Sequence, residues 1–453
     1  MHGSKACLET ERTALLEIKG FFISISDVGY DDDISDIGHE DEILSSWVGG
    51  GRSSDCCDHW KGVKCNPTTR RVMQLSLSHT TKFNYSYDPL DRVSLLNMSL
   101  FDPFQELQSL DLSENWFEGV YENRGLANLR YLQVLDLSGN TNITGGSLTR
   151  LGLANLENLK ALDLGYCGLT TLQGLANFRN LEVLDLSGNF NIAHGSLERQ
   201  GLANLTNLKT LGLDACGITT LQGLANLTNL RVLDLSGNSI SLSVTWLGLH
   251  KLKNLEALDL SFNNINGTVE SQGICELKNL FELNLARNNI GGDLPDCLNN
   301  LTRLKVLDTS FNQLSGSLPS VIVNLTSLEY LDLSNNYFEG TFPISSLANH
   351  SKLKVLLLST RNNNMLQLKT ENFLPTFQLK VLRLPVCNLK VIPNFLVHQH
   401  ELKYLDLSHN NLAGDFPTWI LQNNTKLEVL CLTNNSFTGN LQLPHSKHIF
   451  FII

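Results

Sequence analysis

An eleven-residue pattern, L-x-x-L-x-L-x-x-N-x-L, recurs along most of the chain and constrains its fold more than any other feature. The first clear copy, LQSLDLSENWF, begins at Leu107. A spacing of 22 to 27 residues between copies indicates one short structural repeat stacked many times, rather than several independent domains. The fourteen copies begin at Leu107, Leu132, Leu159, Leu181, Leu208, Leu230, Leu255, Leu280, Leu304, Leu328, Leu353, Leu379, Leu402 and Leu427.

Each position of the pattern has a physical role. In L-x-L, strand geometry points both Leu side chains inward and the residue between them outward. The Asn that follows turns the chain, and its side-chain amide can bond backbone groups of neighbouring repeats, which predicts an internal Asn ladder. A single repeat cannot bury its apolar side, whereas stacked repeats can. Fourteen strands about 4.8 Å apart predict an inner sheet roughly 65 Å long.

The composition follows from this pattern and excludes several classes of protein. The chain has 88 Leu and 47 Asn among 453 residues, and only 17% charged residues. A hydrophobic content of 42% is too high for a disordered chain. The net charge of −11 argues against a nucleic-acid binder, since phosphate contacts need a basic face.

The first 70 residues have the features of a cap that covers the first repeat. ETERTALLEIKGFF predicts an amphipathic helix with Leu15, Leu16, Ile18 and Phe22 on its apolar side. The segment RVMQLSL, around Leu75, then predicts a first strand that precedes an irregular insertion.

Four cysteines in the cap, Cys7, Cys56, Cys57 and Cys65, indicate two disulfides. The pairing we expect is Cys7 with Cys56 and Cys57 with Cys65. The alternative, a zinc site, lacks the usual ligand spacing.

With these features in place, the chain resembles plant extracellular leucine-rich-repeat proteins. The resemblance rests on CLETERTALLEIK, SSW, CC and W-x-G-V-x-C in the cap, and on extensions such as LSGSLP, FEGTFP and LAGDFP in the repeats. Within that group it is most similar to receptor-like proteins, which have a short tail in place of a kinase. The resemblance implies an α/β fold by convention: a right-handed horseshoe-shaped solenoid with a parallel concave β-sheet, short convex helical or 3-10 turns, and a disulfide-bonded N-terminal cap.

The pattern predicts four segments. These are the cap at 1–70, a first strand with an irregular insertion at 71–106, about fourteen repeats at 107–440, and an apolar end outside the repeat pattern at 441–453. Neither an N-terminal signal peptide nor a membrane-spanning run is evident, and the chain ends in HIFFII. The expectation is therefore an incomplete member of the family whose last repeat exposes apolar surface; a true soluble decoy receptor is the alternative.

Motifs for catalysis are absent from the sequence. There is no phosphate-binding loop, dinucleotide fingerprint, G-x-S-x-G or kinase motif, so we predict no enzymatic activity and no cofactor. The acidic stretch from Asp27 to Glu42 holds eight carboxylates, but their irregular spacing favours a solvated loop over a calcium site.

Departures from the repeat consensus suggest where a ligand would bind. In three successive repeats the residue before the ladder Asn is Phe262, Arg287 and Phe311. Stacked strands would place Arg287 between two aromatic rings, a row that could grip a peptide or a sugar by stacking and cation–π contact. The alternative is that the rings cover the sheet edge and that Arg287 pairs with Asp259 or Asp308. The outward residues nearby are Asp259, Glu282, Asn284, Asp308 and Tyr330.

A second, weaker candidate group lies in later repeats. It consists of Lys380, Arg383, Lys403 and Tyr404. Between the two groups, the segment Thr360–Gln378 interrupts the pattern and predicts a distorted loop, which is a further candidate recognition surface.

The remaining cysteines divide into three kinds. Cys167, Cys216 and Cys387 take the ladder-Asn position, where a small buried residue fits. Cys275 and Cys297 lie in consecutive repeats and could form a disulfide on the convex side, while Cys431 is expected to point outward and to be unpaired.

Eleven N-x-[S/T] motifs are candidate glycosylation sites and, with the paired cap cysteines, indicate the secretory pathway. They begin at Asn84, Asn97, Asn142, Asn204, Asn226, Asn266, Asn300, Asn324, Asn349, Asn423 and Asn434.

The family resemblance implies a non-enzymatic ligand-recognition ectodomain of a plant cell-surface receptor in defence or developmental signalling. It would bind an extracellular peptide, protein or glycan on the concave face at the plasma membrane, with a receptor kinase as co-receptor. The alternative is a secreted inhibitor similar to the plant inhibitors of polygalacturonase, which have about ten repeats and a C-terminal cysteine cap.

Overall fold

The chain divides into two compact parts, each built by stacking strand-and-turn repeats. The computed structural model describes residues 7–26, 43–50, 55–81, 94–121, 126, 128–141, 143, 151, 153, 156–175, 178–192, 201–241, 248–269, 274–318, 320–361, 366–370, 372–438 and 450–452. The first part comprises Met1–Ile218 with Gln222–Leu230, and the second comprises Thr219–Leu221 with Arg231–Ile453.

The first part begins with the predicted cap helix, which spans Glu9–Ser26. Its buried face consists of Ala14, Leu15, Ile18 and Phe22 together with the carboxylate residue Glu11. Leu16, which was expected on this face, is only half-buried. Phe22 packs edge-on against Phe117, with 6.0 Å between the ring centroids, so the helix lies directly on the first repeats.

The rest of the cap is held by its cysteines. A short helix at Cys56–His59 is followed by the strand Val63–Cys65, which pairs antiparallel with Val72–Ser76. Disulfides join Cys7 to Cys56 and Cys57 to Cys65, which confirms the expected pairing. Because Cys7, Cys56 and Cys57 bring their sulfurs together as disulfides, these atoms are not available as thiolate ligands for zinc.

Parallel strands in consistent register follow the cap. Leu75 aligns with Leu110, then Leu110 with Leu135 and Leu135 with Leu162, so the inward Leu of each repeat stacks on that of the previous one. The repeat strands of the first part are Val72–Ser76, Ser109–Asp111, Val134–Asp136, Ala161–Asp163, Val183–Asp185 and Thr210–Gly212.

The second part continues the same arrangement and includes one strand that the pattern did not predict. Phe450–Ile452 pairs in parallel with Val429–Cys431, although the sequence pattern placed this segment outside the repeats.

Each of the fourteen predicted repeats has a strand at the expected place. Those of the second part are Val232–Asp234, Ala257–Asp259, Glu282–Asn284, Val306–Asp308, Tyr330–Asp332, Val355–Leu357, Val381–Arg383, Tyr404–Asp406 and Val429–Cys431.

Short second strands run beside the main ones in several repeats. They pair as Leu95–Leu96 with Gly119–Val120, Asn266–Thr268 with Asn289–Gly292 and on to Gln313–Leu314, Gly340–Pro343 with Leu366–Lys369, and Ala413–Asp415 with Ser436–Thr438. The segment Thr360–Gln378 is therefore not simply a distorted loop, because it contributes the strand Leu366–Lys369.

In most of the repeats that the structure describes, the other side includes one short turn of helix. Most are 3-10 turns, at Met98–Phe101, Leu202–Asn204, Leu224–Asn226, Leu249–Lys251, Ile274–Glu276, Asp296–Asn300, Ile344–Leu347 and Asn394–His398. Two are α-helical, at Ser320–Asn324 and Thr418–Asn423. The core lies between these turns and the sheet, and Leu is its most frequent residue.

The predicted Asn ladder runs through both parts of the chain. Asn312, which is fully buried, donates to the carbonyl of Leu285 at 2.8 Å and accepts from the backbone N–H of Ile290 at 3.0 Å. Both partners belong to the preceding repeat, so each ladder Asn ties one repeat to the next. In the repeat that begins at Leu353 the ladder position is Arg361, and there the chain departs into the irregular segment.

Cysteine substitutes for Asn in this ladder as predicted. The thiols of Cys167, Cys216 and Cys387 donate to carbonyls of the preceding repeat at 3.0 to 3.2 Å. Burial raises the pKa of Cys167 and Cys387 far above the usual range of a thiol. These residues therefore remain protonated and act as structural donors.

A second Asn ladder, which sequence reasoning missed, runs along the opposite end of the repeats. The Asn that immediately precedes the first Leu of a repeat donates to a backbone carbonyl of the repeat before it. Examples are Asn158 to Arg130, Asn180 to Glu157, Asn207 to Arg179 and Asn279 to Lys253, at 2.7 to 2.8 Å. The excess of Asn therefore has two separate structural uses.

Candidate ligand-binding face

The residue just before the ladder Asn lies at the margin of the open face of the sheet, the face directed away from the core. In most repeats this residue has a left-handed backbone conformation. Phe262, Arg287 and Phe311 have φ values of 53°, 54° and 54°. A non-glycine residue rarely adopts this conformation, so its recurrence is imposed by the turn that ends each strand.

Stacking of three repeats brings these side chains into one row, as the sequence predicts. The guanidinium carbon of Arg287 lies 4.9 Å from the ring centroid of Phe262 and 4.2 Å from that of Phe311. Phe262 is 57% exposed. Both faces of the guanidinium therefore contact aromatic rings, and we call these three residues the Phe–Arg–Phe row.

The alternative, in which Arg287 pairs with Asp259 or Asp308, is not what the structure shows. The Oδ2 atom of Asp259 accepts from the side-chain amide of Asn284 at 2.8 Å. Asp308 accepts from the backbone N–H of Ser310 at 2.9 Å. Among the described residues, the side-chain contacts of Arg287 are with the two rings and not with a carboxylate. Its N–H groups are consequently available at the edge of the row.

An acidic cluster adjoins the row on the strands that follow. Tyr330 is half-buried and hydrogen-bonds Asp308 and Asp332, and burial together with the Asp308 charge raises its pKa strongly. Burial, followed by the charge of Asp308, raises the pKa of Asp332 to about 6. Glu282 is exposed on the strand that precedes Arg287, in register with Val306 of the next strand. The predicted neighbours thus form a polar border of hydrogen-bond acceptors next to the row.

The second predicted group is largely engaged with its own neighbours. Arg383 bonds the carboxylate of Asp406 at 3.2 Å and lies over the ring of Tyr404 at 5.7 Å. Lys403 bonds Glu428 at 2.9 Å, whereas Lys380 is exposed. Since two of its three cations have a carboxylate partner, this group is the weaker candidate.

The first part of the chain has an aromatic and acidic surface that sequence reasoning missed. Tyr166 occupies the same left-handed position as Phe262, and its ring lies over Gly188, where an added Cβ would come within 2.4 Å of that ring. It also meets Phe190 edge-on, at 6.4 Å between centroids. The Tyr in GYCGL was a visible departure from the consensus and could have revealed this surface.

Four aligned carboxylates lie on the strands beside that surface. Asp111, Asp136, Asp163 and Asp185 are in direct register on successive strands. Burial, followed by the charges of Asp136, Asp185 and Asp111, raises the pKa of Asp163 to about 6. Each also accepts from a backbone N–H two residues later, which is the structural reason for Asp in the consensus.

The disulfide that the sequence allowed between Cys275 and Cys297 is present, with 5.6 Å between the Cα atoms. Cys431 is half-buried, with its sulfur 3.6 Å from the hydroxyl of Thr433, and lies outside any disulfide.

Most of the predicted glycosylation sites that the structure describes are accessible. Exposed sequon asparagines are Asn204, Asn226, Asn266, Asn300, Asn324, Asn349, Asn423 and Asn434, while Asn97 is half-buried. Asn84, Asn142 and the acidic stretch Asp27–Glu42 lie outside the described residues.

Models of known families match both the cap and the repeats. A leucine rich repeat N-terminal domain matches residues 8–66, and a leucine rich repeat matches residues 278–338. A two-copy leucine rich repeat model matches residues 157–198, 206–244 and 228–272.

Curated relatives come from Arabidopsis thaliana. The chain is 43% identical to Receptor-like protein 14 and 48% identical to Receptor-like protein 56, over 99% of its length in both cases. It spans only 42% and 43% of those two proteins.

Solved ectodomains share the fold. The HAESA receptor kinase ectodomain of Arabidopsis, in complex with an extended IDA peptide hormone, is 29% identical with a TM-score of 0.60. The alignment covers 93% of this chain and 62% of HAESA. A second structure shows HAESA with IDA and the co-receptor SERK1, at 29% identity and a TM-score of 0.57, covering 95% of this chain and 62% of that one.

These findings agree with the structure of the repeats and cap. The curated relatives are receptor-like proteins, a non-enzymatic family, which agrees with the prediction of no enzymatic activity. In the described portion of the chain, no helix has the length and apolar character needed to cross a bilayer. By its cap, its repeats and its relatives, the chain belongs to the plant leucine-rich-repeat receptor-like proteins.

Proposed function

We propose that this chain is the ligand-recognition region of a plant cell-surface receptor-like protein, and that it binds an extracellular peptide at the Phe–Arg–Phe row. The observation that carries the proposal is the geometry of Arg287, with an aromatic ring on each face and no carboxylate partner among the described residues. A residue held in this way is preorganised to bind, because its side chain loses little freedom on contact with a ligand.

The dimensions of the row suit an extended peptide. Three adjacent strands spaced about 4.8 Å apart span about 10 Å, which matches roughly three residues of extended chain. The exposed ring of Phe262 offers apolar contact area, while the N–H groups of Arg287 can donate to peptide carbonyl or carboxylate oxygens. Asp259, Asn284 and Glu282 add acceptors beside the row.

The same proposal includes location and partners. The relatives are receptor-like proteins, and the similar HAESA ectodomain binds a peptide hormone together with a co-receptor. By analogy, we propose display of this region at the outer face of the plasma membrane and association with a receptor kinase, in defence or developmental signalling.

A library of phage-displayed random dodecapeptides would test the proposal directly. The full chain, purified from a eukaryotic secretory host, is used for selection, and the enriched peptides are then measured against variants. We expect Arg287→Ala and the double change Phe262→Ala with Phe311→Ala each to weaken binding by about tenfold or more, because both remove central contacts.

Lys305→Ala provides the matched control. Lys305 is also exposed, belongs to the same part of the chain, and lies over the ring of Phe281 at 6.0 Å. This variant should bind the selected peptides as the wild type does. Peptides that bind equally well to the Arg287 variant would refute the row as the binding site.

A further inference from the structure

A cavity on the turn side of the repeats lies apart from the open face of the sheet. Its volume is about 550 Å³, and it is lined by Lys253, Cys275, Glu276, Lys278, Asn279 and Asn300. These residues come from three successive repeats of the second part. The cavity is therefore created by stacking and has no counterpart within a single repeat.

Cys275, which a disulfide joins to Cys297, is one of the residues that line the cavity. Both cysteines are only half-buried, so the bond is within reach of solvent. It links two neighbouring turns, Ile274–Glu276 and Asp296–Asn300, across 22 positions of sequence. The access of a thiol reductant to the sulfurs, together with thiol chemistry, controls how fast such a bond is reduced.

One lining residue can carry a covalent group. Asn300 is the first residue of the sequon Asn300-Leu301-Thr302, ends the turn Asp296–Asn300 and is exposed. Its side chain has no hydrogen-bond partner among the described residues. By contrast, Asn324, the sequon residue of the next turn, already donates to Asn299 at 3.0 Å.

The chemistry of the lining suits a sugar. Lys253 and Lys278 supply ammonium donors, and Glu276 supplies a carboxylate acceptor, in a cavity whose lining also includes Cys275. Asn279 is held in place because its amide donates to the Lys253 carbonyl at 2.8 Å and its oxygen accepts from Arg303 at 3.0 Å. Hydroxyl and acetamide groups of an N-linked sugar can both donate to and accept from such groups.

We propose that the N-linked glycan on Asn300 occupies this cavity and shields the disulfide between Cys275 and Cys297 from reductants. The occupant belongs to this chain, since Asn300, the residue that would carry the glycan, itself lines the cavity. The glycan thereby protects a cross-link between the two repeats that carry Phe262 and Arg287. The proposal does not depend on the identity of any ligand of that row.

The rate of disulfide reduction measures the shielding. The full chain is fused to a secretion leader and expressed in a host that makes N-glycans. The folded protein is then incubated with dithiothreitol. That reagent forms its cyclic disulfide as the two protein thiols appear. The thiols at Cys275 and Cys297 are alkylated at timed intervals and quantified by peptide mass spectrometry after glycan removal. Thr302→Ala, which abolishes the sequon, should accelerate reduction by on the order of tenfold.

Two matched variants separate shielding from other effects. Thr302→Ser retains the sequon and should be reduced at the wild-type rate. Asn324→Gln removes a candidate glycan from the next turn, which does not line the cavity, and should leave the rate unchanged. Enzymatic removal of glycans from the folded wild-type chain should reproduce the acceleration. This experiment also tests the proposal if Thr302→Ala is not secreted in sufficient amount.

Three outcomes would overturn the proposal. The first is an unmodified Asn300 in the secreted wild-type chain. The second is a reduction rate that neither Thr302→Ala nor enzymatic deglycosylation changes. The third is an equal acceleration in Asn324→Gln, which would show that glycans protect the chain in general and not at this cavity.

Discussion

At the scale of single residues, this chain uses a few polar side chains to join each repeat to the previous one. The ladder Asn makes these links by bonding backbone groups of two repeats at once, as Asn312 does with Leu285, Ile290 and Thr309. Cys387 and its equivalents retain only the donor half of that arrangement. Buried backbone groups must be paired, so these positions contribute more to stability than their size suggests.

Replacement of a ladder Asn should therefore be costly. In Asn312→Ala, the N–H of Ile290 and the carbonyl of Leu285 lose their side-chain partner in a buried place, and we expect unfolding free energy to fall by about 3 kcal/mol. Asn279→Ala, in the second ladder, removes two solvent-exposed bonds, one to the Lys253 carbonyl and one from Arg303, and should cost only about 1 kcal/mol because water can replace both. Denaturation by urea, followed by circular dichroism, measures both, and an equal loss in the two variants would contradict the argument.

The carboxyl group of Asp332 should make stability depend on pH in a defined direction. Its pKa is raised to about 6 by burial and by Asp308, whereas an unfolded Asp titrates near about 3.9. The folded state therefore holds a proton that the unfolded state releases, and the stabilising contribution present below about pH 4 is lost as the pH rises through about 6.

Asp332→Asn removes this dependence while leaving an oxygen that can accept from Ser334. As the pH rises from 4 to 7, the melting temperature of the wild type should fall relative to that of Asp332→Asn. The exposed Asp415→Asn is the control and should follow the wild type at every pH. Parallel melting curves of wild type and Asp332→Asn across this range would disprove the assignment.

At the scale of secondary-structure elements, the cap helix is the element that protects the apolar end of the stack. Phe22 is fully buried and contacts Phe117, while its neighbour Phe21 is half-buried against the same ring. The amphipathic pattern predicted this helix, but the half-buried Leu16 shows that the pattern identified the buried face only approximately.

Phe22→Ala should release the helix from the first repeats. Loss of a fully buried aromatic ring typically costs about 3–5 kcal/mol. Phe21→Ala should have a smaller effect because that ring is half-buried. Hydrogen exchange followed by mass spectrometry would report the change as faster exchange in peptides from 7–26 and 94–121. Unchanged protection in Phe22→Ala would show that the two cap disulfides hold the helix without this contact.

At the scale of the whole molecule, the two sides of the repeats carry different features. The open face carries the Phe–Arg–Phe row and, in the first part of the chain, the Tyr166–Phe190 pair beside four aligned Asp. The turn side carries six of the exposed sequon asparagines: Asn204, Asn226, Asn300, Asn324, Asn349 and Asn423. Glycans there would leave the open face clear, so the chain can be both heavily modified and free to bind.

Sequence reasoning predicted much of the candidate site, but not how its residues interact. The position of Phe262, Arg287 and Phe311 in successive repeats was sufficient to place them in a row. The sequence did not determine whether Arg287 contacts the rings or a carboxylate. The Coulombic attraction to Asp259 or Asp308 depends on the distance between the guanidinium and each carboxylate, and that distance is set by how the repeats stack. Tyr166 was overlooked since its importance arises from the glycine in the next repeat, which leaves room for the ring.

The repeat, the inward Leu, the ladder positions and the cap could be predicted from the amino-acid order, because each depends on local periodicity and on residues close together in the chain. Which groups from different repeats meet became evident only in the folded chain. The Cys275–Cys297 bond, the cavity at Asn300, the second Asn ladder and the strand Leu366–Lys369 all join residues more than 20 positions apart. Such contacts depend on the register and spacing with which one repeat packs on the next, and this register is a property of the stack, not of any single repeat.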